Sequence, residues 1–331
     1  MTDNLRAAAF LMLSMLLFAV EDALIKILTR DLPFAEVLGM IALAGVLVFG
    51  GLMRVRGERF WTPALLAPAV ILRNITEAIA SIAIVLSLGL TELSTTMAIM
   101  QAVPLFIALG AAAFLKEPVG WRRASAIVIG FLGVLMVLRP GLAGFEPSSL
   151  WALVAAIGFA ARDLATRRVP PGMSSLHLSA AAFLALLVAA VPMAVLLGEA
   201  PVMPDGWQTT LAVGCGVITV VAYSLLVAAT RIGEASVLAP VRYSRLVFAL
   251  VLAVIVFGER LDAFTLIGSA VIVGSGCYTF WREARLARRR APRPAPDAGR
   301  TPPPASATTP TETTPDASEP GRRDPAVRAD T

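Results

Sequence analysis

Charged residues are scarce in this sequence: they make up 15% of its 331 residues, whereas hydrophobic residues make up 57%. A soluble domain is usually about 25% charged, because polar side chains must cover its surface in water. The composition therefore excludes an ordinary soluble protein. It predicts a chain whose main solvent is lipid.

Cysteine and histidine are nearly absent as well. Cys215 and Cys277 both lie within apolar segments, and His177 is the single histidine. This pattern argues against a disulfide framework and against a metal site built from His and Cys. The sequence also contains no H-E-x-x-H and no G-x-S-x-G motif. We therefore expect no enzyme activity, catalytic residue, metal, cofactor or nucleic-acid partner.

Long apolar runs, in contrast, recur along most of the chain, and ten of them are long enough to span a bilayer. The loops between them are short, so neighbouring helices should be antiparallel. The sequence thus predicts an all-α membrane protein of ten transmembrane helices. These helices are expected at 7–28, 34–53, 66–90, 94–115, 121–138, 148–166, 175–197, 209–230, 235–257 and 263–281.

Lysine and arginine cluster in alternate loops, which predicts the orientation of the chain in the membrane. Basic residues such as Arg54, Arg122 and Arg167 occupy one set of loops, whereas the other set has few. The rule that basic loops stay inside places both termini in the cytoplasm, and we expect a multi-pass protein of the bacterial inner membrane. The basic, proline-rich segment 282–331 is predicted to be a disordered cytoplasmic tail.

An internal repeat is the most informative feature of the sequence. The stretch Phe-Ala-Val-Glu-Asp at 18–22 recurs as Phe-Ala-Ala-Arg-Asp at 159–163, an offset of 141 residues. Glu117 and Glu259 recur at an offset of 142. Because each copy would hold five helices, an odd number, the second copy should enter the membrane from the opposite side. Such inverted repeats are typical of secondary transporters.

The ends of the two copies resemble a known family. Phe-Leu-Lys-Glu-Pro at 114–118 and Val-Phe-Gly-Glu-Arg at 256–260 each place a glutamate at a tight turn between helices. Together with the repeat, they resemble the EamA-type branch of the drug/metabolite transporter superfamily. The resemblance implies five-helix repeats at 1–138 and 139–281, and transport of metabolites such as amino acids, riboflavin or S-adenosylmethionine.

Ionisable side chains within the spans are the candidates for a substrate pathway. Each costs about 2.5–3.5 kcal/mol to insert, so such groups usually face a cavity or one another. Neighbouring polar side chains belong to the same set. The predicted pathway residues are Glu21, Asp22, Arg73, Asn74, Glu77, Gln101, Arg162, Asp163, Tyr223, Arg242, Tyr243 and Arg245.

Local pairing is the alternative interpretation for several of these charges. Side chains four residues apart lie on one face of a helix and can neutralise each other. The available pairs are Asp22 with Lys26, Asp163 with Arg167, and Arg73 with Glu77.

The two arginines of helix 9 have no acid within one helical turn. Arg242 and Arg245 follow Pro240, which removes a backbone hydrogen bond and can kink the helix. An arginine fork suits a carboxylate or phosphate, so we expect at least one of them to face the cavity. Pairing with Glu77 or another helix, or reaching towards lipid headgroups, are the alternatives. Glu259, in contrast, is expected to have a structural role at a helix N-terminus.

These patterns predict a secondary transporter of a small polar or zwitterionic metabolite that works by alternating access in a lipid membrane. Protons carried by Asp22, Glu77 or Asp163 would be the natural driver, because a buried acid can lose and regain its charge. A membrane sensor or interaction protein without transport activity is the alternative. The oligomeric state, the direction of transport and the substrate are left open by the sequence.

Overall fold

The computed structural model describes residues 3–115, 120–142, 145–170, 172–233 and 235–290, and within them every regular element is helical. Two short 3₁₀ turns accompany the α-helices. The α-helices are α1 (Asp3–Leu28), α2 (Phe34–Val55), α3 (Pro68–Leu90), α4 (Leu93–Met100), α5 (Val103–Phe114), α6 (Trp121–Leu138), α7 (Leu150–Thr166), α8 (Ser175–Leu197), α9 (Gly206–Ile232), α10 (Ala235–Arg242), α11 (Ser244–Phe257) and α12 (Ala263–Arg290).

The described part of the chain has eight helical segments long and apolar enough to cross a membrane, where the sequence predicted ten. The other two predicted spans are shorter apolar helices, Ala124–Leu138 and Ala263–Thr279. The helix α6 itself extends from Trp121 to Leu138 and carries Arg122 in its first turn. The second is followed by basic residues, and α12 continues as a helix to Arg290 instead of ending at the predicted 281.

Two helices that were predicted as continuous are each broken in two. The chain leaves the helix at Gln101, between α4 and α5, and at Tyr243, between α10 and α11. Pro104 and Pro240 lie within three residues of these breaks, and a proline offers no N–H to the helix. The breaks are 142 residues apart, so they are repeat-related. Discontinuous helices of this kind expose backbone groups near the middle of a membrane protein.

The main helix pairs join the first half of the chain to the second. Helix α1 packs along α9, α3 along α7, and α2 along α8, while α11 contacts both α1 and α4. Small residues allow these close approaches, as is usual in membranes. A Cβ added at Gly158 on α7 would lie 2.9 Å from the Cβ of Ala80 on α3. The core of the bundle is therefore the surface between the halves.

Three helices end on a glycine in the left-handed conformation that is followed by a glutamate. Gly57, Gly198 and Gly258 have φ values of 69°, 65° and 66° at the ends of α2, α8 and α11. Glycine adopts this conformation without strain, so it ends each helix sharply. The turn then directs the next side chain, a glutamate, back towards neighbouring helices.

These glutamates bind the starts of helices that belong to the opposite half. The Glu199 carboxylate accepts hydrogen bonds from the first two N–H groups of α2 at 3.0 and 2.9 Å. Glu259 accepts from the first two N–H groups of α4 at 2.7 and 2.9 Å. Glu58 accepts from the hydroxyl of Ser174, the N-cap of α8, at 2.7 Å. A carboxylate is favourable there because unpaired N–H groups give a helix start a partial positive charge.

The structural role predicted for Glu259 is therefore confirmed, but the helix that it stabilises lies in the other half of the chain and not next to it in sequence. Its repeat partner Glu117 lies outside the described residues.

Candidate functional site

The first group of buried charges joins α1 to α9 and α11, and is called here the α1 cluster: Glu21, Asp22, Thr219 and Arg245. Asp22 has 4% of its side chain exposed, and accepts hydrogen bonds from Arg245 at 2.7, 2.8 and 3.0 Å. The Arg245 guanidinium also lies 5.3 Å from the centre of the Phe18 ring. Glu21 contacts the Thr219 hydroxyl at 2.7 Å. One acid of the cluster is thus held by an arginine and the other by a hydroxyl.

The second group, the α7 cluster, joins α3 to α7 and consists of Arg73, Asn74, Glu77, Arg162 and Asp163. Arg162 Nη1 lies 3.1 Å from both carboxylate oxygens of Glu77, and its Nε donates to Asp163 at 2.8 Å. Arg73 approaches Glu77 at 3.9 Å and donates to Asn74 at 3.1 Å. Glu77 is therefore held between two arginines, whereas Asp163 keeps 41% of its side chain exposed.

One of the local pairs considered from the sequence, Asp22 with Lys26, is replaced by contacts with other helices. Asp22 binds Arg245, as above, and Lys26 instead lies 3.8 Å from Glu259 and donates to two backbone carbonyls at the end of α3. Asp163 bonds to Arg162, its neighbour in the chain. The third pair, in the α7 cluster, is formed as an ion pair. A partner on another helix therefore replaces the local pair at Asp22, whereas Asp163 keeps a partner on its own helix.

The two arginines of the ninth predicted helix have different environments. Arg245 pairs with another helix, which was one of the alternatives. Arg242, at the end of α10, is exposed and makes no hydrogen bond or ion pair with the described residues. Asp163 is the opposite charge within electrostatic range of Arg242. Asp163 lies in the last turn of α7, and Arg242 is the last residue of α10, beside the second break.

The remaining polar residues of the predicted pathway lie at the breaks or in the packing. Gln101 is 9% exposed at the first break. Tyr243, at the second break, is 6% exposed and its ring packs against Gly276 of α12. Tyr223 meets Phe49 edge-on, with ring centres 5.9 Å apart. The structure thus brings the charged residues other than Arg242 into two clusters, and leaves Arg242 and these three residues outside them.

One relation between the clusters was not predicted from the sequence. The contact between Glu21 and Thr219 and the contact between Arg162 and Glu77 join repeat-related positions. The repeat offset of 141 to 142 residues could have revealed this relation, because it relates Glu21 to Arg162 and Glu77 to Thr219. The contact between Arg162 and Glu77 is an ion pair, whereas the repeat-related contact between Glu21 and Thr219 is a hydrogen bond to a hydroxyl.

A further ion pair lies outside the spans, at the end of the bundle opposite Asp163. Arg139 pairs with Asp262, which also accepts a hydrogen bond from the Thr265 N–H at 2.8 Å. Partial burial acts to raise the pKa of Asp262, but the hydrogen bonds from Thr265 and Arg139 outweigh it and hold this pKa below its ordinary value. The ion pair joins the end of α6 to the start of α12.

Chemically, the two clusters and Arg242 provide charges of both signs between the two halves. Arg242 and Asp163 are the residues that can contact a charged solute. The described residues contain no group of three His, Cys, Asp or Glu side chains suited to a metal ion. The arrangement can bind a small charged solute and can hold or release protons.

Comparison with known proteins identifies the family of the chain. The EamA-like transporter family matches residues 5–139 and again residues 147–281. An S-adenosylmethionine uptake transporter of Rickettsia felis is 27% identical over 203 residues, which cover 61% of this chain and 68% of that protein. A riboflavin transporter of Vibrio cholerae is 29% identical over 195 residues, 58% of this chain and 64% of that protein.

Two further matches extend over more of the chain. A pseudopaline exporter of Pseudomonas aeruginosa is 25% identical over 276 residues, 82% of this chain and 95% of that protein. A solved crystal structure at 20% identity has a TM-score of 0.57 and covers 86% of this chain and 99% of its own, which supports the fold alone.

The family model matches both repeats, so most of the chain is covered. The named relatives are transporters rather than enzymes. The resemblance seen in the sequence is thereby confirmed: the chain is a multi-pass membrane protein that belongs to the EamA-like transporter family.

Proposed function

We propose that this chain is a secondary transporter of a small zwitterionic metabolite, and that it works by alternating access in the inner membrane with both termini in the cytoplasm. The observation that carries the proposal is the pair Arg242 and Asp163. These residues carry opposite charges, and both lie where the two halves of the chain meet. Arg242 is exposed without an ion pair to the described residues, and Asp163 keeps 41% of its side chain exposed.

The proposed architecture has ten membrane helices in two five-helix halves of opposite orientation. The packing of α1 on α9 corresponds, under the repeat, to the packing of α7 on α3. The breaks at Gln101 and Tyr243 correspond in the same way. Two equivalent halves that exchange conformations would open the site first to one face of the membrane and then to the other.

The charges favour a zwitterion over an anion or a cation. The Arg242 guanidinium can take a carboxylate on two oxygens, while the exposed carboxylate of Asp163 can take an ammonium group. Arg162 and Arg245 already pair with acids of the clusters, and Asp163 keeps 41% of its side chain exposed beside its bond to Arg162. S-adenosylmethionine, which one group of relatives takes up, carries an amino-acid zwitterion and is the first compound to test.

A thermal-shift measurement on purified protein in detergent tests substrate binding. The compounds would be S-adenosylmethionine, riboflavin and a set of amino acids. A ligand present at 100 times its Kd adds about 2.7 kcal/mol to the free energy of unfolding, so binding should raise the melting midpoint. We expect the shift to disappear in Arg242→Gln and Asp163→Asn, and to persist in Arg56→Gln, an exposed arginine at the end of α2.

Uptake into proteoliposomes then tests transport itself. Labelled compounds that bind should exchange across the membrane with wild-type protein, and should not do so with Arg242→Gln. Binding without exchange would favour the sensor alternative. Exchange that survives both substitutions would leave transport in place but show that the binding pair has been assigned wrongly.

A further inference from the structure

The hydroxyl of Thr219 lies between two oxygen atoms. It is 2.7 Å from Glu21 Oε1 and 2.8 Å from the backbone carbonyl of Cys215. A hydroxyl group has one hydrogen, and a backbone carbonyl can only accept. An ionised Glu21 could also only accept. With an ionised Glu21, the two short contacts would therefore have to share the single hydrogen of the Thr219 hydroxyl.

Shared threonine hydroxyls elsewhere in the protein have longer contacts. Thr29, Thr76 and Thr230 each divide their hydrogen between two backbone carbonyls, and all six distances are 2.9 to 3.1 Å. Both distances at Thr219 are instead those of a complete O–H···O bond. Two complete bonds require two hydrogens. The second hydrogen can only come from a protonated Glu21.

The surrounding charges favour the same assignment. Asp22, next to Glu21 in the chain, already occupies Arg245 through three hydrogen bonds. Within the described residues, Glu21 has no ion pair, whereas its repeat-related contact pairs a carboxylate with an arginine. The titratable and charged groups that act on Glu21 are Asp22, Arg245 and Cys215. An ionised Glu21 would place two adjacent anions beside one arginine.

We propose that Glu21 carries a proton in this conformation and is the proton-binding residue of coupled transport. The Glu21 O–H donates to Thr219, and the Thr219 O–H donates to the Cys215 carbonyl. When Glu21 releases its proton to water, its carboxylate accepts the hydrogen bond of the Thr219 hydroxyl, and the hydrogen bond from Thr219 to Cys215 is lost. Arg245 then interacts with both Glu21 and Asp22. This proposal rests on the proposed transport function. It separates Glu21 from Asp22, Glu77 and Asp163, which each accept a hydrogen bond from an arginine.

Infrared spectroscopy of the protein in nanodiscs tests the protonation without any substrate. A protonated carboxyl group has a C=O stretching band apart from those of amides and carboxylates. We expect such a band at neutral pH in wild type, its loss in Glu21→Gln, and its persistence in Glu36→Gln, which changes a glutamate outside the clusters. Absence of the band in wild type, or an unchanged band in Glu21→Gln, would overturn the proposal.

Two substitutions at Thr219 keep the test decisive if Glu21→Gln is poorly folded. Thr219→Ser retains the hydroxyl and should leave the band in place. Thr219→Val removes the acceptor of the Glu21 proton, so the band should move to the frequency of a carboxyl group without that hydrogen bond. A band that is the same in both variants would show that the proton is not on the bond described here.

Proteoliposomes separate the coupling role from transport in general. With labelled S-adenosylmethionine, accumulation driven by an imposed pH gradient should be lost in Glu21→Gln and retained in Glu36→Gln, the control outside the clusters. Accumulation equal to wild type would refute the coupling role and leave transport intact. If wild type neither exchanges nor accumulates any tested compound, the proposed function fails, and the infrared band still decides the protonation of Glu21.

Discussion

Replacing Asp22 by asparagine should destabilise the protein by leaving Arg245 without its counter-charge. Removing one partner of a buried ion pair typically costs about 3–5 kcal/mol, since the remaining charge stays desolvated. Asp22 is 4% exposed and Arg245 is 29% exposed, so Arg245 keeps some contact with water. We therefore expect a loss near the lower end, about 3 kcal/mol.

The double variant Asp22→Asn/Arg245→Gln distinguishes this reasoning from a simple loss of packing. With both charges removed, the free energy of unfolding should recover to within about 1 kcal/mol of wild type, because no unpaired charge remains. The coupling energy between the two sites should then be at least about 2 kcal/mol. Reversible unfolding in bicelles measures all four proteins. Additive effects of the single substitutions would refute the interpretation of this contact as the ion pair that joins α1 to α11.

Three further predictions concern helix ends and packing. Glu259→Gln should reduce the free energy of unfolding by about 1–2 kcal/mol, since a charge at the start of α4 is lost; the same bicelle assay measures it. The pKa of Asp262 is below its ordinary value of 3.8, so the ionised carboxylate stabilises the folded protein at pH values above 3.8. This stability is lost as the pH falls through the lowered pKa. Asp262→Asn should therefore flatten the acid side of a plot of the free energy of unfolding against pH. Gly158→Ala should destabilise by about 1–3 kcal/mol through contact with α3, measured by thermal unfolding. Gly214→Ala, where an added Cβ meets nothing within 4 Å, should instead stabilise by about 0.4–1 kcal/mol; equal effects at both glycines would contradict the packing described.

The sequence predicted the helices well where hydrophobicity alone decides them. The ranges 34–53, 175–197 and 66–90 agree with α2, α8 and α3 to within a few residues. Hydrophobicity cannot predict the breaks at Gln101 and Tyr243, because the hydropathy of an apolar segment is the same whether or not its backbone hydrogen bonds are continuous. The nearby prolines are a signal, but many prolines in membrane helices cause only a bend.

The candidate site was predicted as a set of residues but not as a set of contacts. Buried charges are rare in spans, so Asp22 and Arg245 could be selected from the sequence alone. Their pairing could not, because it joins positions 223 residues apart, and the local alternative with Lys26 has the same chemistry. Thr219 was missed because a threonine in an apolar helix usually bonds only to its own backbone.

The helix pairing across the halves has a consequence for how the chain is made. Asp22 enters the membrane long before its partner, because 223 residues separate it from Arg245. At about 5–20 residues per second, a ribosome needs roughly 10–45 s to bridge that distance. During this interval the first half exposes to lipid the surfaces that will later contact α8, α9 and α11. Biogenesis thus includes a period in which the carboxylates of α1 must be tolerated by the insertion machinery without the arginine that later holds one of them.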